Sequence, residues 1–81
     1  MVVYDFYAPW CVPCKRILPL IERMSSELNI PIKKINVEES RNVFEKYKVK
    51  TVPTLILVDG EKEIKRVINP KNFEEVRSIL V

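Results

Sequence analysis

The arrangement that most constrains this chain is an apolar run, Val2–Tyr7, followed almost at once by a longer segment with helical spacing, Cys11–Asn29. Only Asp5 interrupts the apolar run, which is typical of a strand buried on both faces. In the second segment, apolar residues recur every three or four positions and form one stripe: Ile17, Leu20 or Ile21, Met24 and Leu28. The pattern predicts a buried strand joined to an amphipathic helix, which in turn favours a crossover to a parallel strand.

Further strands are predicted at three places: Ile32–Val37, Leu55–Val58 and Glu63–Ile68. The last two are separated by Asp59-Gly60, a pair typical of a hairpin with Gly at the second turn position. The hairpin predicts an antiparallel pair beside the parallel one.

Two shorter helices complete the prediction. Ser40 is expected to cap a helix that carries Val43, Phe44 and Tyr47. Asn69 is expected to cap a final helix with Pro70 in its first position, and its inner face is Phe73, Val76, Ile79 and Leu80. The element order is therefore βαβαββα, an α/β fold with a four-stranded mixed sheet and three helices, in one domain over residues 1–81.

Composition excludes several classes of function. The 14 Lys and Arg and the 11 Asp and Glu are interleaved, which is typical of a solvated surface and argues against nucleic-acid binding. Histidine is absent, which excludes His-based catalysis and His metal ligands. No apolar run approaches the roughly 18 residues of a membrane span. No secretory signal is evident, so we expect a cytoplasmic protein without membrane partners.

The residues that carry chemistry are Cys11-Val12-Pro13-Cys14, at the junction of the first strand and the first helix. A helix N-terminus stabilises a thiolate, so Cys11 is expected to be exposed there with a depressed pKa. Cys14, one turn inside the helix, is expected to be more buried and less acidic. Pro13 stiffens this turn at a position where its missing N–H costs nothing. We expect Cys11 to attack a substrate disulfide and Cys14 to resolve the mixed disulfide.

The cysteine pair has two other possible roles, a structural disulfide and a metal site. A structural disulfide is disfavoured, because closing so short a loop removes little unfolded-state entropy. A zinc site normally needs four ligands, and the chain has no third Cys and no His. Zinc or an iron–sulfur cluster shared between two chains stays open, and the favoured expectation is no metal.

The segment Asp5–Lys15 reads D-F-Y-A-P-W-C-V-P-C-K and resembles the active-site segment of the thioredoxin superfamily, D-F-W-A-x-W-C-G-P-C-K. The resemblance continues without a gap through Pro19 and Tyr47 to Val52-Pro53-Thr54. The usual first strand and helix of that family are missing, so the chain is similar to a shortened thioredoxin, close to the glutaredoxin-like core. The resemblance implies a minimal thioredoxin fold with strand order 2-1-3-4, strands three and four running antiparallel to the first two.

The resemblance also implies roles for individual residues. Pro53 matches a cis-proline that faces the cysteines and binds substrate backbone. Asp5 matches a buried carboxylate behind Cys14 with a raised pKa that relays a proton, and Lys34 matches its lysine partner. Trp10 matches an aromatic residue on the rim of the site. The residues expected to contact substrate are Trp10, Val12, Pro13, Val52, Pro53 and Ile68.

The chain departs from the family pattern at three positions. Val12, Lys48 and Ile68 each stand where that family often has Gly. Val12 lies between the cysteines, and Ile68 falls in the region that shapes the substrate groove. In that family the dipeptide between the cysteines tunes both reduction potential and partner choice. The departures leave the expected cysteine chemistry in place but argue against the usual partners of the family.

The sequence thus predicts a thiol–disulfide oxidoreductase that reduces protein disulfides through Cys11 and Cys14 and serves cell redox homeostasis. A glutaredoxin-like, glutathione-coupled reductase and a non-catalytic binding subunit of the same fold are the alternatives. Expected partners are protein disulfide substrates and an upstream reductase, either thioredoxin-reductase-like or a glutathione system. We expect a monomer with no cofactor beyond the Cys11–Cys14 disulfide.

Overall fold

The computed structural model describes residues 1–80, and its elements follow the predicted order βαβαββα. The strands are β1 Val2–Tyr7, β2 Ile32–Asn36, β3 Thr54–Asp59 and β4 Lys62–Ile68. The helices are α1 Val12–Leu28, α2 Arg41–Lys46 and α3 Phe73–Arg77, the last continued by a 3₁₀ turn at Ser78–Leu80. None of the helices within residues 1–80 has the length and apolar character needed to span a bilayer.

The four strands form one mixed sheet in the order β2-β1-β3-β4, as predicted. Strand β1 pairs parallel with β2 and antiparallel with β3, and β3 pairs antiparallel with β4. The expectation that both β3 and β4 oppose the first two strands was therefore wrong for β4. Because a tight hairpin reverses the chain between β3 and β4, strand β4 runs in the same direction as β1.

Alternation along β1 decides which residues face which layer, since successive side chains of a strand point to opposite faces. Val3 packs in a cluster with Ile21 of α1 and Val76 of α3, whereas Phe6 packs in a second cluster with Tyr47 beyond α2. Asp5 is two positions from Val3 and so lies on the α1 face of the sheet. This alternation places a carboxyl group on the same face as the helix that carries Cys14.

The start of α3 differs from the prediction. Its N-cap is Asn72, whose side-chain oxygen accepts the N–H of Glu75 at 2.9 Å. Asn69 instead adopts a left-handed conformation with φ 53° and donates its N–H to the carbonyl of Pro53 at 2.8 Å. Pro70 is buried ahead of the helix rather than placed in its first turn. Asn69 does not cap α3 because its backbone N–H is already bonded to Pro53, where β4 ends next to the start of β3.

Two smaller turn predictions also differ in detail. Ser40 occupies the N-cap position of α2, but its side chain makes no capping hydrogen bond. Gly60 has φ 66° and is the first residue of the hairpin loop, because Asp59 still pairs with Lys62 in the ladder. The turn lies where the sequence predicted it, shifted by one residue.

Candidate active site

Cys11 and Cys14 meet at the N-terminus of α1. Cys11 is the N-cap residue in an extended conformation, and its Sγ accepts the backbone N–H of Cys14 at 3.2 Å. The two residues are joined as a disulfide, with their Cα atoms 5.3 Å apart. Pro13 lies in the first turn of the helix, as the sequence predicted. The geometry therefore holds a sulfur atom at the positive end of a helix that runs to Leu28.

The expected difference in burial between the two cysteines was wrong. Cys11 is 3% exposed and Cys14 is 6% exposed, so Cys11 is not the open one. The reason is the packing around them: the cysteines cluster with the buried Ala8, and Tyr7 and Val52 pack against this cluster. In the disulfide form, Cys11 is therefore covered by neighbouring residues although it lies at the helix N-terminus.

The segment before β3 approaches the cysteines from the opposite side. The Val52–Pro53 peptide bond is cis, which confirms the backbone conformation that the resemblance implied for Pro53. Pro53 is buried, and Val52 packs against the cysteine cluster. Strand β3 begins directly afterwards at Thr54, whose hydroxyl donates to the carbonyl of Thr51 at 2.7 Å.

Asp5 lies behind Cys14 in a cavity of about 250 Å³ that also contacts Tyr7 and Leu18. The residue is 3% exposed, and its Oδ1 has no hydrogen-bond partner within residues 1–80. Burial raises the pKa of Asp5 from 3.8 to about 6, while the positive charge of Lys34 opposes part of that shift. The raised pKa that the resemblance implied for Asp5 is therefore confirmed, with desolvation as its main cause.

Lys34 is only a loose partner of Asp5. The two residues are register neighbours on β2 and β1 and line the same cavity. The ammonium of Lys34, however, is exposed and lies 3.9 Å from the carboxylate of Glu22 on α1. Lys34 thus acts on Asp5 through its charge, and its ion pair is with Glu22.

Trp10 stands on the rim of the site, 66% exposed, and is held there by a contact that the sequence did not predict. Its Nε1 donates to Oε2 of Glu38 at 2.8 Å. Glu38 is itself fixed by a turn in which its backbone N–H donates to Oδ1 of Asn36 at 2.9 Å. The sequence signal that was available is Asn36, a typical turn residue at the end of β2.

The remaining predicted contact residues are on the surface around the disulfide. Val12 is 59% exposed and Pro13 is exposed. Ile68, 58% exposed, ends β4 and pairs with Thr54 beside the cis-proline. The structure brings these residues to one end of the sheet, and their contact with substrate stays a prediction.

Comparison with known proteins agrees with this geometry. The profile of the family described as Thioredoxin matches residues 1–81. A thioredoxin of Chlamydia pneumoniae is 37% identical over 81 residues, which covers 99% of this chain and 79% of that protein. Thioredoxin-2 of Saccharomyces cerevisiae is 42% identical over 78 residues, covering 93% of this chain and 75% of its own.

The solved structure of thioredoxin 1 from Thermosipho africanus superposes with a TM-score of 0.86 at 34% identity, covering 99% of this chain and 90% of that one. The fold, the family profile and the close cysteine pair at the start of α1 all lead to the same family assignment. The chain belongs to the thioredoxin family and is a thiol–disulfide oxidoreductase.

Proposed function

We propose that this protein reduces disulfides of other proteins, with Cys11 as the attacking thiolate and Cys14 as the resolving thiol. The observation that carries the proposal is the position of the Cys11 sulfur at the N-cap of α1, where it accepts the N–H of Cys14. The helix dipole and this N–H both favour the thiolate over the thiol in the reduced protein.

The reaction balances as two thiol–disulfide exchanges. The Cys11 thiolate bonds to one sulfur of the substrate disulfide, and the other substrate sulfur leaves as a thiolate that takes up a proton. The Cys14 thiolate then bonds to the sulfur of Cys11 and releases the second substrate sulfur, which is also protonated. The protein disulfide gains two electrons and two protons, and the protein is left with the Cys11–Cys14 disulfide seen here.

Asp5 is proposed to accept the proton of Cys14 in the second step. Both residues line the cavity of about 250 Å³, and a pKa of about 6 leaves Asp5 mostly ionised at pH 7. We expect Asp5→Asn to slow reduction of protein disulfides above pH 6 without unfolding the chain. Asp59→Asn, a change at the exposed hairpin, is the matched control. Equal rates for Asp5→Asn and the unmodified protein between pH 6 and 8 would remove Asp5 from the mechanism.

The substrate is proposed to lie across Trp10, Val12, Pro13 and Ile68, with Val52 and Pro53 contacting its backbone. Exposure of the first four residues supports this, as does the packing of Val52 against the cysteine cluster. An extended substrate segment bound there has its disulfide next to the N-terminus of α1, where Cys11 lies.

Trapping of the mixed disulfide tests the assignment of the two cysteines. Cys14→Ser is expected to accumulate a covalent complex with a disulfide-containing protein such as insulin, and Cys11→Ser is expected to form none. The complex is measured by non-reducing electrophoresis, with dithiothreitol as the control that dissolves it. Trapping by Cys11→Ser alone would reverse the assignment. Failure of the unmodified protein to accelerate insulin reduction by dithiothreitol would instead favour a non-catalytic binding subunit.

The proposal includes an upstream reductase that returns the disulfide to the dithiol, and a reducing compartment, the cytoplasm, in which the dithiol form persists. It also includes a single domain over residues 1–81, a monomeric state and no cofactor or metal besides the cysteine pair. Turnover with NADPH and a thioredoxin reductase, compared with glutathione and its reductase, identifies the electron donor.

A further inference from the structure

Positive side chains lie on several sides of the Trp10–Cys14 segment, which carries the disulfide. Three hollows reach the Trp10–Cys14 segment, with volumes of about 250, 130 and 280 Å³. The cations in their walls are Lys15 and Lys34 in the first, Arg16 and Lys71 in the second and Lys50 in the third. The one carboxylate among the residues that line these hollows, within residues 1–80, is the buried Asp5.

Four of these cations, Lys15, Arg16, Lys50 and Lys71, form what we term the cationic rim. All four are exposed, and within residues 1–80 none of their side chains forms an ion pair. Lys34 is left out because Glu22 lies 3.9 Å from it.

The rim is a large share of the positive charge of the protein. The chain carries 14 Lys and Arg against 11 Asp and Glu, and without the four rim cations its formal charge would change from +3 to −1. Two exposed acids contact this surface: Glu38 has an oxygen occupied by the indole N–H of Trp10, and Glu75 accepts the backbone N–H of Lys71 at 2.7 Å. Locally, the three hollows are lined by five cations and one carboxylate from residues 1–80, so positive charge is in excess around the Trp10–Cys14 segment.

The surface inside the rim is apolar. Trp10, Val12 and Ile68 are large hydrophobic residues with 66%, 59% and 58% of their surface exposed. An apolar centre with a charged border is the usual anatomy of a protein–protein interface. A polypeptide with apolar residues beside its cystine and acidic residues further out matches both parts of this surface.

We propose that the preferred substrates of this oxidoreductase are protein disulfides flanked by acidic residues, selected by the cationic rim. The inference rests on the proposed function and adds its substrate class. Charges of this kind act mainly on encounter and on KM, so the preference weakens as salt screens the rim.

The test uses two disulfide peptides with the same residues around the cystine, one flanked by Glu and the other by Gln. At low ionic strength we expect kcat/KM to be about tenfold higher for the Glu peptide, and the ratio to fall below about threefold at 0.3 M salt. Lys50→Glu combined with Lys71→Glu is expected to remove the preference. Lys33→Glu combined with Lys62→Glu reverses the same number of exposed charges outside the three hollows and is expected to retain it.

The outcomes separate this inference from the proposed function. Equal kcat/KM for both peptides in the unmodified protein would overturn the acidic preference and leave the reductase intact. No turnover of either peptide would overturn the proposed function itself. A preference that survives the double change at Lys50 and Lys71, with folding confirmed by circular dichroism, would refute the role of the rim. Tighter binding of a single-stranded oligonucleotide than of the Glu peptide would refute a polypeptide partner.

Discussion

Replacing Asp5 with Asn is expected to make the oxidised protein more stable at neutral pH. Asp5 is 3% exposed, and its Oδ1 has no hydrogen-bond partner within residues 1–80. An ionised carboxylate in that position loses most of its hydration without equivalent compensation. An amide of the same shape carries no charge and avoids that cost.

The magnitude follows from the pKa. Burial raises the pKa of Asp5 from 3.8 to about 6, and each unit corresponds to about 1.4 kcal/mol, so ionisation costs about 3 kcal/mol of folding free energy. Because the folded pKa lies above the unfolded value, the native state binds more protons between these two pH values. The stabilisation is fully present below about pH 4 and is lost as the pH rises through 6.

The assay is guanidinium unfolding of the oxidised protein at pH 4, 5, 6 and 7, with the disulfide intact so that no thiol titrates. The stability difference between Asp5→Asn and the unmodified protein is expected to grow by about 2.4 kcal/mol from pH 4 to pH 7, because at pH 4 the unfolded-state carboxyl is already partly ionised. Asp59→Asn, at an exposed position, is the control and is expected to show little growth. The same pH dependence in Asp5→Asn and the unmodified protein would refute the argument that a desolvated Asp5 destabilises the fold.

Three further predictions concern contacts outside the cysteine pair. Glu38→Ala is expected to free the indole of Trp10, which lowers its fluorescence anisotropy and reduces kcat/KM about two- to fivefold. The control Glu38→Gln keeps a hydrogen-bond acceptor and is expected to keep most of the activity. Unchanged anisotropy in Glu38→Ala would contradict the contact. Lys48→Gly is expected to raise the stability by about 0.5–1 kcal/mol in urea unfolding, because Lys48 has φ 52°, and a loss of stability would contradict this. Ile21→Ala is expected to cost about 3–4 kcal/mol in the same assay, because Ile21 is fully buried between sheet and helices; a cost below about 1 kcal/mol would contradict that packing.

Much of the fold could be predicted because its signals are local. The apolar run Val2–Tyr7 shows the pattern of a single buried strand, and the apolar stripe from Ile17 onward shows the periodicity of a single helix. The cap of α3 could not be chosen in this way, since Asn69 and Asn72 are both good caps by residue type. The choice was decided by the hydrogen bond from Asn69 to Pro53, a residue in a different part of the chain.

In the candidate site, too, the local features could be predicted from the sequence and the long-range contacts could not. The position of Cys11 and Cys14 at a strand–helix junction follows from the sequence, and their close approach follows from their spacing. The burial of Cys11 and the contact between Trp10 and Glu38 depend on segments far along the chain. Such contacts leave no periodic signal, so they could not be predicted without the resemblance or the structure.

By itself, the sequence determined the order of the strands and helices and the presence of a redox-capable cysteine pair, because helical and strand periodicity and the two-residue spacing are properties of short segments. Only the tertiary structure decided the electrostatics. It removed Asp5 from water and brought Lys15, Lys50 and Lys71, which lie far apart along the sequence, to one surface around the Trp10–Cys14 segment. Desolvation and charge proximity depend on distance in space, and folding sets those distances independently of separation along the chain.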